Sequence, residues 1–126
     1  MKTIIIDRNL WSRGAHDRNA LLITEEMAEE WEDSETPLIE GTMCCLGFVC
    51  LALGATEKQI RGKDFPADTK LHLKGLSETD SNGDLRDTQF SKDAANINDD
   101  ATIDDEERET QLCALAIENG FKFKFV

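Results

Sequence analysis

The sequence predicts a small α+β fold, and three features carry the prediction. An isoleucine-rich segment over residues 2–7 opens the chain, an alternating Phe-Lys-Phe-Lys-Phe segment over residues 121–126 closes it, and helical patterns with recognisable caps lie between. Three adjacent isoleucines suit a packed, pleated surface, and period-two alternation marks a half-buried strand. Both ends lack a nearby pairing partner in the sequence, so they are expected side by side. The expected architecture is a small mixed or antiparallel sheet holding both chain termini, with two or three helices packed on one face. At 126 residues a single domain spanning 1–126 is expected, since one core fits this length and two do not.

Taken in order, residues 9–19 read as a polar loop carrying Trp11, Arg13, Gly14 and His16. Residues 20–23, Ala-Leu-Leu-Ile, read as a short strand. Thr24 is an N-cap for a helix over residues 25–31, whose first turn is rich in carboxylates that suit the helix dipole. Residues 42–45 read as a turn or short strand, followed by an apolar helix over 46–53 that Gly54 stops. Thr56 caps another short helix ending at Gly62. Residues 77–93 are mostly polar and read as a surface loop with at most one helical turn near Phe90. Residues 96–100, Asn-Ile-Asn-Asp-Asp, read as a loop and N-cap region. Asp104 and Glu107 mark the start of the last helix in a variant of the capping box. Its apolar stripe is Leu112, Cys113, Ala116 and Ile117, and Gly120 is its stop. The expected core comprises Ile4, Ile6, Cys45, Leu46, Val49, Leu53, Leu112, Ala116 and Phe123.

Composition narrows function. The formal net charge is −12, which disfavours direct nucleic-acid binding because such binding needs cations to displace counterions. Residues 25–40 hold eight carboxylates and no Lys or Arg, and residues 99–109 hold seven against Arg108 alone. Residues 1–24 hold Lys2, Arg8, Arg13 and Arg18 against Asp7 and Asp17, so an anion finds its best welcome there. No apolar run approaches the roughly 20 residues of a membrane span, and the N-terminal apolar stretch is too short for a signal peptide. The expected location is the cytoplasm, where Cys44, Cys45, Cys50 and Cys113 stay reduced. No Cys-x-x-Cys or paired His is present, so the thiols read as core residues; a metal or a reactive thiol with His16 as base is the lesser reading, and no cofactor is expected. Residues 78–89 resemble a calcium loop but place Gln89 where a bidentate carboxylate belongs, so an Asx-rich turn is expected.

Three sets of residues stand out as candidate ligand-binding groups. Arg8, Trp11 and Arg13 combine guanidinium forks with an indole, a means of holding a phosphate beside a base. Asn98 and Asp99 offer paired donors and acceptors. Cys45 and Gly47 mark a helix start whose backbone N–H groups face outward, although Gly47 reads better as a site of close helix packing.

These motifs together resemble a family. Asp7-Arg8, Trp11-x-Arg13-Gly14, Leu21-Leu22, Met43-Cys44-Cys45-Leu46-Gly47-Phe48-x-Cys50 and Ile97-Asn98-Asp99-Asp100, in this order before a last helix and strand, resemble small uncharacterised proteins of tailed phages and prophages. The resemblance implies an accessory, counter-defence role in the host bacterial cytoplasm and supplies no catalytic residues. Three functional readings follow. The first is non-catalytic sequestration of a small anionic, nucleotide-derived immune signal. The second is an acidic nucleic-acid mimic that occupies a basic groove on a host defence nuclease or polymerase. The third, and weakest, is a small cysteine- or carboxylate-dependent hydrolase. The chain is read as a binding protein rather than an enzyme, without membrane contact and compatible with a homo-oligomer.

Overall fold

The structure, a computed structural model, describes residues 1–14, 19–31 and 37–126. His16, Asp17 and Arg18, and Glu32, Asp33 and Glu35 of the acidic run, lie outside the described residues. The N-terminal isoleucines form β1 (Lys2–Ile6), and the C-terminal segment forms β4 (Phe121–Phe125). They pair directly, as expected of the two ends, and run parallel with Lys2 opposite Phe121 and Ile6 opposite Phe125. A parallel pair needs a long crossover, and here nearly the whole chain supplies it. Ile4, Ile6, Phe121 and Phe123 face inward and are buried, whereas Thr3, Ile5, Lys122 and Lys124 face outward.

Three helices cover the inner face. The first, α2 (Cys45–Ala52), follows a short acidic helix α1 (Glu25–Glu30). Every residue of α2 from Cys45 to Cys50 is buried, which is why its sequence is apolar all round. It begins one residue earlier than the apolar run predicts, because Cys44 takes the N-cap. Outside these three, the short helix α3 (Glu57–Ile60) opens with a Thr56–Gln59 capping box. After a 3₁₀ turn at Pro66–Thr69, strands β2 (Ser77–Thr79) and β3 (Leu85–Asp87) form an antiparallel hairpin. Its tip is the expected Asx turn: the Asp80 carboxylate accepts from the backbone N–H of Asn82 at 2.8 Å and of Asp84 at 3.0 Å.

The region read as a loop is the main correction. Residues 77–93 contain that hairpin and the first turns of α4 (Gln89–Asp99), and residues 96–99 are the last turn of α4 rather than a loop ahead of the next helix. Thr88 caps α4 by accepting from the Ser91 N–H at 3.2 Å. Phe90, Ala94 and Asn98, spaced by four, form its buried face. Helix α5 (Asp105–Glu118) is capped by Asp104, as predicted, and Gly120 at φ +86° turns the chain into β4. Its buried face is Arg108, Leu112 and Ala116; Ile117 is 55% exposed and does not belong to the stripe.

Residues 20–23 do not form a strand. They run extended between two irregular segments, with Leu21 N–H bonded to Lys63 O, Gly62 N–H to Leu22 O and Ile23 N–H to Thr42 O at 2.8–2.9 Å. Neither neighbour is regular enough to extend a ladder beyond a single bridge at Leu22 and Arg61. The main core gathers β1, β4, α2, α4 and α5, with Leu53 only half-buried at its margin, and a satellite of Ala20, Ile23 and Leu38 packs beneath α1. No helix among the described residues is long and apolar enough to cross a membrane.

Candidate functional site

The seven candidate residues converge where the loop after β1, the start of α2 and the end of α4 meet. Just past β1, the Asp7 carboxylate accepts from the Asn9 N–H at 2.9 Å and turns the chain. Residues 10–12 then run beside Met43 in a single parallel bridge, with Met43 N–H bonded to Leu10 O and Ser12 N–H to Met43 O. This places the Trp11 ring inside, 4.8 Å from the Phe125 ring between centroids.

Asn98 joins the pieces. Its side chain is fully buried. Its Oδ1 accepts from Trp11 Nε1 at 2.7 Å and from the Cys45 N–H at 3.0 Å. Its Nδ2 donates to Ser12 O at 3.0 Å and to Asp99 Oδ1 at 2.9 Å, and its own carbonyl accepts from the Gly14 N–H at 2.9 Å. A carboxamide offers two acceptor lone pairs and two donors, and all four are used. The bond from Cys45 has a further meaning. Cys44 caps α2 without a side-chain hydrogen bond, so the first N–H of α2 finds its acceptor on a helix more than fifty residues away. Asp99 Oδ1 also accepts from Asn19 Nδ2 at 2.8 Å, and the Ser12 hydroxyl donates to Asn19 Oδ1.

The two arginines close over this knot. Arg13 lies 4.6 Å above the Trp11 ring, donates from Nη1 to the carbonyls of Trp11 and Arg8, and meets Asp105 Oδ2 through Nη2 at 2.9 Å. The Arg13 guanidinium holds the Asp105 carboxyl below its usual range. Arg8 grips Glu109 with both oxygens, at 2.6 and 2.9 Å, and Glu109 raises the Arg8 pKa. Asp105 and Glu109 stand four apart on α5, one face of a helix serving two arginines of one loop. Gly47 sits one turn into α2, where a Cβ would fall 2.0 Å from the Leu21 carbonyl oxygen and 2.9 Å from Met43 Cβ. The glycine therefore serves close packing.

Thus all seven residues share one neighbourhood: Trp11, Cys45 and Asn98 satisfy one another inside it, while Arg8 and Arg13 are engaged by Glu109 and Asp105 at its surface. The partners Ser12, Asn19, Asp105 and Glu109 were not singled out in the sequence; the spacing of Asp105 and Glu109 on a capped helix was the available signal. Buried Arg108 was also missed: it donates to the carbonyls of Ile97, Asp100 and Ile103 at 2.6–3.2 Å and clasps the end of α4 to α5. Thiol chemistry finds little support here. Burial first, and Asp99 second, push Cys44 up to about 12, burial pushes Cys50 up to about 12, and burial raises Cys45 and Cys113. A thiol so raised stays protonated near neutral pH and is a poor nucleophile.

No protein-family model, no curated protein and no solved structure matches the chain. Among the described residues, two clefts stand out as open to ligands or partners. The first, about 490 Å³, lies between the starts of α1 and α3, floored by Leu22 and Ile23 and edged by Glu25, Glu26, Glu40, Glu57 and Arg61. The second, about 350 Å³, lies against the outer side of the Asn98 knot, between Cys44, Asp64, Phe65, Ala95, Asn96 and Asp99.

Proposed function

We propose that this protein is a non-catalytic binding protein that presents an acidic face to a basic groove on a partner protein, in the manner of a nucleic-acid mimic. The carrying observation is the cleft between α1 and α3. Four glutamates edge it; among the described residues Glu25, Glu26, Glu40 and Glu57 have no hydrogen-bond or ion-pair partner and Arg61 is the one cation at its margin. Carboxylates left unpaired on a chain of net charge −12 attract a basic surface over a long range and speed its encounter. The phage-family resemblance supplies the setting, a host defence nuclease or polymerase whose groove normally holds nucleic acid.

Sequestration of a small anion draws less support. It needs Arg8, Arg13 and Asn98 to face a ligand, and these side chains already face Glu109, Asp105, Trp11 and the Cys45 amide.

The test is retention of basic proteins from a bacterial lysate by the immobilised protein. Binding should be strong near 50 mM NaCl, fall steeply by about 300 mM as the screening length shortens, and yield to competing short duplex DNA. A variant with Glu25, Glu26, Glu40 and Glu57 all changed to Gln should keep its melting temperature and lose the retained partner. Retention indifferent to salt, or equal in the quadruple variant, overturns the proposal.

A further inference from the structure

The outer edge of β1 is a second feature, separate from the glutamate face. Val126 donates its N–H to Ile6 O at 3.0 Å and accepts from the Arg8 N–H at 2.9 Å. In a parallel pair the bonding groups of alternate residues face the neighbouring strand, so these two bonds fix the whole ladder. Ile4 and Ile6 turn their N–H and C=O groups towards β4, while Thr3 and Ile5 turn theirs away from it. Among the described residues no group bonds to that outer row, and both residues are exposed, Ile5 at 51%. The opposite edge of the pair is engaged in part, since the Cys113 thiol donates to Phe123 O at 3.7 Å. Edge strands are commonly guarded by a proline, a bulge or a central charge. β1 has none of these: its register with β4 is unbroken, and its one charge, Lys2, stands at its start.

Symmetry and charge decide what covers this row. The outward groups of Thr3 and Ile5 lie evenly about Ile4, so a two-fold axis at Ile4 sets Thr3 of one copy opposite Ile5 of another. Each such pair exchanges both of its backbone bonds, as an antiparallel ladder requires. Two β-branched side chains then meet across the strands on the outer face. A contact of this kind is self-complementary. Charge selects the same place. Two copies of net charge −12 repel one another, but β1 and α2, the helix packed on it, carry Lys2 as their only charge. The end of α2 adds apolar surface, with Leu51, Ala52 and Leu53 only half-buried. We propose that two copies of the chain pair through β1, antiparallel about Ile4, and join their two-stranded sheets into one sheet in the order β4-β1-β1-β4. None of the glutamates of the acidic cleft takes part.

The experiment is sedimentation equilibrium of the full chain, whose monomer is 14.1 kDa, combined with amide hydrogen exchange read by NMR. A single strand edge buries less than the roughly 1,600 Å² of a standard interface. The expected dimer therefore forms with a Kd on the order of 100 μM. Raising NaCl from about 50 to 300 mM should tighten it, because screening relieves the repulsion between copies. Retention of a basic partner by the acidic cleft responds to salt in the opposite sense, so the two proposals fail separately. The Thr3 and Ile5 amides should exchange quickly in dilute protein and about fivefold more slowly near 1 mM, where most of the chain is paired. The Ile4 and Ile6 amides, bonded to β4 at any concentration, are the control. Thr3→Pro removes an outward N–H that β4 does not use, and an edge strand tolerates proline. That variant should keep its melting temperature and remain monomeric at about 1 mM. A parent chain that is monomeric at that concentration, a dimer undiminished in Thr3→Pro, or exchange at Thr3 and Ile5 that ignores concentration overturns the proposal.

Discussion

At the level of single residues, Asn98 shows how one buried carboxamide holds three segments that are far apart in sequence. Changing it to Ala strands the Trp11 indole N–H and the first N–H of α2 in a place without water. Each stranded buried group costs roughly 1–3 kcal/mol, so Asn98→Ala should lower the urea midpoint by an amount corresponding to several kcal/mol. Asn98→Asp keeps the shape but loses both donors and sets a second charge beside Asp99. It should destabilise at least as much; a midpoint near wild type in either variant would refute the knot. Gly47→Ala is expected to cost on the order of 1–3 kcal/mol or more, because the added methyl meets the Leu21 carbonyl rather than a yielding side chain. Arg13 and Asp105 predict a pH effect. The Asp105 carboxyl is held below its ordinary value of 3.8 in the fold, so the pair stabilises above that value and the contribution fades as pH falls through the lower folded pKa. Asp105→Asn should therefore lower the melting temperature at pH 7, and the gap to wild type should close at the acid end. The sequence marked Trp11, Arg13, Cys45, Gly47 and Asn98 as special and even as neighbours, because indole, guanidinium and amide groups clustered in unusual motifs. It did not show that they satisfy one another, since hydrogen-bond saturation depends on distances that no spacing in the chain encodes.

Among the elements, the two terminal strands and the capped helices were plain in the sequence, whereas β2, β3 and α4 were hidden in a stretch that reads as a polar loop. The terminal strands advertise themselves by isoleucine runs and by strict alternation, and α1, α3 and α5 by Thr24, Thr56 and Asp104 at their starts. Helix α4 hides its inward face in Phe90, Ser91, Ala94 and Asn98, of which only one is a large apolar residue. Its cap, Thr88, was the readable sign, together with the four-residue spacing of Phe90, Ala94 and Asn98. A similar disguise affected α5, whose buried line begins with a charged residue, Arg108, ahead of Leu112 and Ala116. A hydrophobicity pattern alone shifts that stripe towards Ile117. Two substitutions separate the readings. Leu112→Ala should cost about 2–5 kcal/mol, as expected for a fully buried leucine. Ile117→Ala should change stability by less than about 0.5 kcal/mol, since more than half of that side chain is already in solvent. Urea unfolding of the two variants settles which face of α5 lies against β4.

For the molecule as a whole, charge is the dominant feature, and the fold arranges it unevenly. The cations nearest the core, Arg8, Arg13 and Arg108, are spent on Glu109, Asp105 and backbone carbonyls. The outward face of the terminal strand pair carries Lys122 and Lys124, and carboxylates crowd the starts of α1 and α5. Like charges at such density repel one another in the compact state more than in the expanded chain. Salt should relieve that repulsion before it weakens the enclosed pairs, because exposed charges are screened first and buried contacts least. Raising NaCl from about 10 to 200 mM shortens the screening length from roughly 30 Å to below 10 Å. The melting temperature should rise over that range, even though the exposed Arg8–Glu109 and Arg86–Glu78 bridges weaken, since exposed pairs contribute little each. In the variant with Glu25, Glu26, Glu40 and Glu57 changed to Gln, the same rise should be visibly smaller. A melting temperature that falls with salt in the parent protein would mean that its surface pairs outweigh its self-repulsion, and the unpaired glutamates would then be no reservoir of attraction for a basic partner.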